Sequence, residues 1–414
     1  MKSNQVLFVH TNYPAQFRYL VKSYLANGWD VWFASHTKKY PTLKELNHIP
    51  LDKGPAKGSK LDQHQRLSLL TFRQLLQYKR NNDLSPCRIY VHTGWGLGQF
   101  LRDLFPTATI IAYSEWWFNL YSSDFLFDCT NKHVNHTLNT RLSMVLRNQG
   151  FSIELQQADC IVSPTEWQKS QLPTIFKEKC RVIFDGIDTN TFSPGEISIN
   201  DNKQFSKLDF NKPILTYATR GLEPYRGFPE FAKAVEKVLL ERPDWQVVIA
   251  GDDSINYHKS ELAPKEGYGA ASCQRFKELG VSDRVHFVGS LPILVYRDLL
   301  RISSLHCYFT RPYVLSWSLL ESAMVGCRLL VSATEPLAEF LNDDQSTTFV
   351  DYTSPTLATE MLIAMDAYTN KTMKTNEEIR NSRSHLQNEI NYKSCVTKHF
   401  QFAKQIESAK NKKS

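Results

Sequence analysis

The chain has 414 residues, which at roughly 150 residues per domain means two or three domains and excludes a single small module. Its 42% hydrophobic and 22% charged residues are ordinary globular usage, which excludes a disordered chain. Lys plus Arg (49) exceed Asp plus Glu (42) by only +7, too dilute to argue for a nucleic-acid partner.

The eight cysteines are scattered without a C-x-x-C pair, so they read as buried thiols of a reducing cytoplasm, not a zinc or redox site. The opening MKSNQVLFVHTNYP holds an apolar stretch too short for a signal peptide or for the ~20 residues of a membrane span, and no other segment reaches that length. The expected location is cytoplasmic, with at most a weak peripheral contact with the cytoplasmic membrane.

Short apolar runs alternate with longer stretches of helical spacing, the pattern of parallel strands covered by helices on both faces. The predicted strands of the first half are Val6 to His10, one starting at Asp30, Arg88 to His92, Thr109 to Tyr113, Cys160 to Ser163 and Arg181 to Phe184. Phe17, Leu20, Val21, Tyr24 and Leu25 form one stripe of a helix that Gly28 ends. From Ser193 to Lys212 the text SPGEISINDNKQFSKLDFNK loses apolar periodicity and reads as a linker. Strands resume at Ile214 to Thr219, Gln246 to Ala250, Val285 to Val288, Leu305 to Phe309, Leu329 to Ser332 and Thr348 to Val350. Glu377 to Ile406 has helical spacing and ends in the unpatterned tail SAKNKKS, expected to fray. Two doubly wound sheets follow, and ligands of such sheets sit beyond the carboxyl ends of the strands.

The segment FTRPYVLSWSLLESAMVGCRLLVSATEP, residues 309 to 336, is the most informative. A helix predicted to start near Ser316 to Ser318, after a strand, offers free backbone N–H groups and a positive dipole end to a phosphate or diphosphate. Glu321, expected in its first turn, can accept hydrogen bonds from ribose hydroxyls beside that phosphate. Equally, Ser318-Leu-Leu-Glu321 matches the S-x-x-E of a capping box, in which Glu321 only closes the helix end. Arg220 and Arg226 lie on one loop after the strand ILTYAT. They either converge on a diphosphate, stabilising it as a leaving group, or are solvated surface cations.

In the first half, Tyr13-Pro14-Ala15-Gln16 follows the first strand and is either part of a cleft or an ordinary turn before a helix. The glycines of His92-Thr-Gly94-Trp95-Gly96-Leu-Gly98 mark a tight strand-to-helix turn and are weak evidence for phosphate. His92 is a proton carrier or a structural residue. Glu115, just after a strand in IIAYSEWWFNLYSSDFLFD, is either an acid-base group or a helix-end or surface carboxylate. Trp116, Trp117 and Phe118 are core rings by default, with stacking on a sugar or facing a lipid the alternatives. Asp252-Asp253 reads as a turn and helix cap, and His133 and His136 as surface residues, not metal ligands.

Taken together, FVHTNYPAQF, VSPTEWQKSQLP, IFDGIDTNTFSP, YATRGLEPYRGFPEFAKAV and the helix near Ser318 resemble family 4 of the retaining glycosyltransferases, of GT-B fold, over most of the chain. The resemblance implies an α/β chain of two Rossmann-like domains facing across a cleft: an acceptor domain at 1–192, the linker at 193–212, and a nucleotide-sugar domain at 213–376. Helices in 377–414 would pack back on the N-terminal domain. It implies retaining, metal-independent, cofactor-free transfer from a nucleotide diphosphate sugar to an acceptor hydroxyl. Glu321 would hold the ribose, while the family's other glutamate, eight positions earlier, is here Tyr313. Ser316, Trp317, Ser318 and Leu319 match the stretch touching diphosphate and sugar, and Arg220 and Arg226 stand where the family has an Arg and Lys pair. The second guanidinium offers a planar fork in place of a point charge. Ala15 and Gln16 replace two frequent glycines, and Glu115 a frequent histidine near the reacting sugar. Tyr13, His92 and Trp95 fall with them on the acceptor side. Rival readings are an epimerase or phosphorylase of the same fold and a non-catalytic nucleotide-sugar-binding protein. Base, sugar, acceptor and oligomeric state are not legible.

Overall fold

The computed structural model describes residues 4–38, 45–54, 60–119, 123–128, 137–197, 203–256, 263–369 and 374–412. It divides into two compact units, one comprising Met1–Ser122, Thr137–Gly186 and Glu389–Ser414, the other Ser123–His136 and Ile187–Asn388.

The first unit is built on seven parallel strands: β1 (Gln5–Val9), β2 (Asp30–Ser35), β3 (Leu46–Pro50), β4 (Arg88–His92), β5 (Thr109–Tyr113), β6 (Cys160–Ser163) and β7 (Cys180–Val182). Their order is β3-β2-β1-β4-β5-β6-β7. The order reverses direction between β1 and β4, so the loops leaving those two strands part and open a crevice at their carboxyl ends. Every residue of β4 and β5 is buried, which is why both read as continuous apolar runs. β3 has no counterpart among the predicted strands. In this edge strand only Ile49 is fully buried, so LNHIP lacks the apolar run that marks its neighbours.

The predicted stripe forms as the helix Arg18–Ala26, with Leu20, Val21 and Tyr24 buried. Against it lies the C-terminal helix Tyr392–Asn411, whose Glu407 pairs with the buried Arg88 guanidinium through two 2.8 Å hydrogen bonds. The frayed tail expected after Ile406 is instead helical to Asn411. Lys410 donates to the Ala108 carbonyl at 2.9 Å and lies 3.3 Å from Asp159, which fastens the last turn.

The second unit holds six parallel strands, β8 (Ile214–Gly221), β9 (Gln246–Asp252), β10 (Val285–Gly289), β11 (Leu305–Tyr308), β12 (Leu329–Ser332) and β13 (Thr347–Val350). They run in the order β10-β9-β8-β11-β12-β13, with the reversal between β8 and β11. Phe205 and Leu208, from the polar stretch 193–212, are buried with Val248 and Leu299 of this unit. Residues 123–128 also belong here, held by Arg311. Its guanidinium is 1% exposed and donates to the carbonyls of Asp124, at 3.0 and 3.1 Å, and of Phe127. Arg383, also buried, donates to the carbonyls of Ala323 and Cys327 and so satisfies the end of the helix Trp317–Val325.

Candidate functional site

At the carboxyl ends of β8 and β11 the second unit has a cavity of about 50 Å³ lined by Tyr217 to Arg220, Arg226, Tyr308, Phe309, Ser316 and Ser318. Both arginines singled out in the sequence reach it. Arg226 ends a short 3-10 turn, Pro224–Arg226. Its backbone carbonyl accepts from the Tyr217 hydroxyl at 2.6 Å, and its Nη1 donates to Thr310 Oγ1 at 2.9 Å. The turn closes on Gly227 at φ +66, where a Cβ would lie 2.8 Å from Phe309 Cβ and 2.9 Å from the Tyr352 ring, so only glycine fits. Arg226 is half-buried, which removes it from the solvated surface arginines; Arg220 lines the cavity and remains exposed to solvent.

The helix Trp317–Val325 starts earlier than a Ser318 cap requires. Ser316 is the N-cap, its Oγ accepting from Ser318 N at 3.4 Å and lying 2.8 Å from Ser318 Oγ. Two expectations are thereby corrected. Ser318-x-x-Glu321 is not a capping box, and Glu321 lies in the second turn, not the first; it is 7% exposed. Burial first, and then the charge of Glu321, raises the phenol pKa of Tyr296, whose hydroxyl donates to the Ser318 carbonyl at 3.3 Å. Leu319 is 0% exposed, so its side chain serves the core. Tyr313 stands edge-on to Tyr225 at 5.3 Å and 88°, and Tyr225 donates to Asp124 at 3.3 Å. Arg311, which the sequence analysis missed, joins these parts: its backbone N–H donates to the Tyr225 carbonyl at 3.2 Å while its guanidinium holds residues 124 to 127.

In the first unit, the loops after β1, β4 and β5 bring Gln16, His92 and Glu115 together. Gln16 Nε2 donates to Glu115 Oε1 at 2.8 Å, Gln168 Nε2 donates to the Glu115 carbonyl at 2.6 Å, and His92 Nε2 lies 3.4 Å from Glu115 Oε2. That last contact is an ion-pair distance without hydrogen-bond alignment. His10, absent from the predicted site, lies 3.0 Å from Gln16 Oε1 through Nε2 and stacks edge-on to His92 at 4.4 Å. Burial and the neighbouring His92 hold its pKa well below that of an ordinary histidine. Ala15 has φ +43, in the left-handed region that glycine prefers. The Tyr13 ring packs edge-on to Phe33 at 4.9 Å, and Trp95 is 47% exposed.

The glycine-rich turn after β4 already holds a carboxyl group of the chain's own. Glu154 accepts from Gly94 N and Gly98 N, both at 2.7 Å, and burial pushes its carboxyl up to about 7. Glu154 was also missed; nothing local in its helix distinguishes it from a surface glutamate.

Trp116 is buried, and Trp117 packs against Phe151 and Phe176, so the aromatic run serves the core there. Asp253 accepts from Gly269 N and Ala270 N at 2.9 and 2.8 Å, capping the helix Tyr268–Glu278. His133 and His136 lie outside the described residues. Among the described residues, no three His, Cys, Asp or Glu side chains form a group fit for a metal, and no helix is long and apolar enough to cross a membrane.

Residues 23–192 match the glycosyl transferase family 4 group, and residues 198–381 match glycosyl transferases group 1. No curated protein matches the sequence. Among solved structures, the chain is similar to sucrose-phosphate synthase from Thermosynechococcus elongatus, with TM-score 0.72 and 15% identity over 98% of this chain and 100% of that one. A glycosyltransferase from Rickettsia africae gives TM-score 0.72 and 14% identity over 98% and 99% of the two chains. Anabaena HepE, in complex with UDP-glucose, gives 0.66 and 15% over 98% and 99%. At these identities the likeness is one of fold, the GT-B architecture of two parallel-sheet units.

Proposed function

The chain belongs to the family 4 type of glycosyltransferases, and from that premise we propose that it moves a sugar from a nucleotide diphosphate sugar to an acceptor hydroxyl, with retention and without a bound metal. The observation that carries this reading is the cavity where Arg220, Arg226 and the start of the helix Trp317–Val325 converge. As the bond from sugar to phosphate breaks, negative charge grows on the diphosphate. Two guanidinium groups and the helix N-terminus stabilise that charge where it develops. The departing phosphate oxygen takes the acceptor's proton on the same face of the sugar, so no protein nucleophile is needed and configuration is kept.

In this reading Glu321 holds the ribose, Ser316 to Ser318 meet the diphosphate and sugar, and the Tyr313 phenol stands in for the family's carboxylate. On the acceptor side Glu115 receives the hydroxyl, with Tyr13, Ala15, Gln16, His92 and Trp95 around it. The proposed compartment is the cytoplasm. HepE's complex with UDP-glucose supports a nucleotide-sugar donor.

The test is a thermal-shift panel of uridine, guanosine and adenosine diphosphate sugars, then acceptor trials with the best donor and assignment of the product's anomeric configuration. One donor should stabilise the protein, and Arg220→Ala should remove the shift. No stabilisation by any donor, or an inverted product, overturns the reading. Tyr313 in place of a carboxylate favours one second reading, a nucleotide-sugar-binding protein without turnover. Calorimetric donor binding with no product from any acceptor would establish it.

A further inference from the structure

We infer that His10, Gln16, Glu115 and His92 form one polarised chain of side chains, and that His10 and Gln16 are positioning residues that hold Glu115 as a fixed carboxylate for the acceptor hydroxyl. The inference rests on the acceptor role given to Glu115 above.

The polarity follows from donor and acceptor inventory alone. The backbone N–H of Asn12 donates to His10 Nδ1 at 2.8 Å. That nitrogen is therefore the acceptor of the ring, and the proton of neutral His10 sits on Nε2. From Nε2 it is donated to Gln16 Oε1 at 3.0 Å, which leaves the Gln16 amide N–H₂ facing Glu115 Oε1 at 2.8 Å. A reversed amide would set oxygen against oxygen at Glu115 and nitrogen against N–H at His10. The chain of donors thus runs one way and ends on the carboxylate.

At the other end the Thr93 carbonyl lies 3.0 Å from His92 Nδ1 and can only accept, so Nδ1 carries a proton. Nε2 of the same ring faces Glu115 Oε2 at 3.4 Å. One proton between these two groups makes the contact attractive, and none makes it repulsive. Each carboxylate oxygen is thus engaged on one side. The Glu115 side chain is 31% exposed and so within reach of a hydroxyl, whereas His92 behind it is 4% exposed. A long glutamate placed after a strand would otherwise sample several rotamers; here its geometry is set before any acceptor arrives.

Other titratable groups face this chain and share its pH response. Glu154 acts on it from the helix Leu138–Gln157. Tyr113 on β5 senses Glu115 and donates to Asp185 at 2.7 Å.

Two measurements test the inference, the first independent of turnover. In ¹⁵N-histidine spectra of the whole chain, His10 should be the Nε2–H tautomer from pH 5 to 8, and His92 should carry a proton on Nδ1. A His10 that is Nδ1–H, or that protonates like a free histidine, overturns the chain. The second uses Gln16→Met, which keeps size and removes the donor. It should lower kcat/KM for the acceptor ten- to a hundredfold, shift the acid limb of that profile to higher pH, and leave donor affinity within twofold. An unchanged acceptor profile, or a uniform loss at every pH, overturns the positioning role. If the tautomers are as stated while no donor is turned over, the chain stands and the proposed function falls. Transfer with the wrong tautomers has the opposite meaning.

Discussion

The loops leaving β8 and β11 in the second unit and those leaving β1 and β4 in the first occupy the same place in two sheets of the same winding, yet they carry opposite chemistry. In the second unit, the reversal of strand order meets two arginines and a helix N-terminus around a cavity. In the first it meets two imidazoles and a carboxylate, and the amides of its glycine-rich turn are already satisfied by Glu154. A switch point therefore fixes where a ligand can sit and leaves open which one. What decides is whether the fold supplies its own counter-group: Glu154 fills the first turn, while the arginines of the second face a cavity.

That contrast can be broken at either end. The largest effect is expected in the second unit: Arg220→Ala or Arg226→Ala should each lower turnover at saturating donor on the order of a hundredfold or more. Unchanged turnover would remove the diphosphate from this cavity. Next in size is a pH effect. Burial lowers His306 to about 4 and His399 to about 3, while the unfolded chain binds those protons near 6.5. Folded stability is therefore full above about pH 7 and is lost as pH falls below 6.5, by about 2 kcal/mol per histidine at pH 5. Glu154, raised from 4.5 to about 7, works the other way, its contribution declining as pH rises from 4.5 to 7. Glu154→Gln should therefore steepen the acid loss measured by chemical denaturation at pH 5, 6, 7 and 8; a curve parallel to the parent would contradict a buried, protonated Glu154.

Glu154→Ala strands the N–H groups of Gly94 and Gly98 and should cost about 2 kcal/mol of stability without changing donor affinity. A weaker donor Kd would mean that the two switch points are not chemically separate. Gly227→Ala brings a methyl into the Phe309 and Tyr352 contacts and should cost about 1 kcal/mol and weaken donor binding several-fold through the turn that carries Arg226. The smallest expected effect is none: EDTA should leave transfer intact. Complete loss restored by magnesium or manganese would overturn the metal-free proposal.

Much of this was legible beforehand, and each exception has a physical cause. β4, β5 and β12 match their predicted spans because buried parallel strands are continuous apolar runs. Arg220 and Arg226 could be paired from a motif after a strand. The helix Trp317–Val325 starts within the span expected for it, but both Ser316 and Ser318 can cap, and the S-x-x-E reading took the wrong serine. Burying Leu319, Leu320 and Ala323, each 0% exposed, sets the register and selects Ser316. His10, Glu154 and Arg311 escaped notice for a different reason. The partners of Glu154 and Arg311 lie far along the chain, Gly94 60 residues from Glu154 and Asp124 187 from Arg311. His10, bonded locally to Asn12 and Gln16, meets His92 only through the pairing of β1 with β4.

The amino-acid order by itself determined the two rounds of strand and helix, the punctuation between them and the loops where chemistry belongs, because those depend on periodicity and on neighbours a few residues apart. Only the tertiary structure decided which glycine turn is already filled, which serine caps, and which polar groups meet around Glu115. A hydrogen bond or an ion pair depends on distance in space and on burial, and neither is local in the chain.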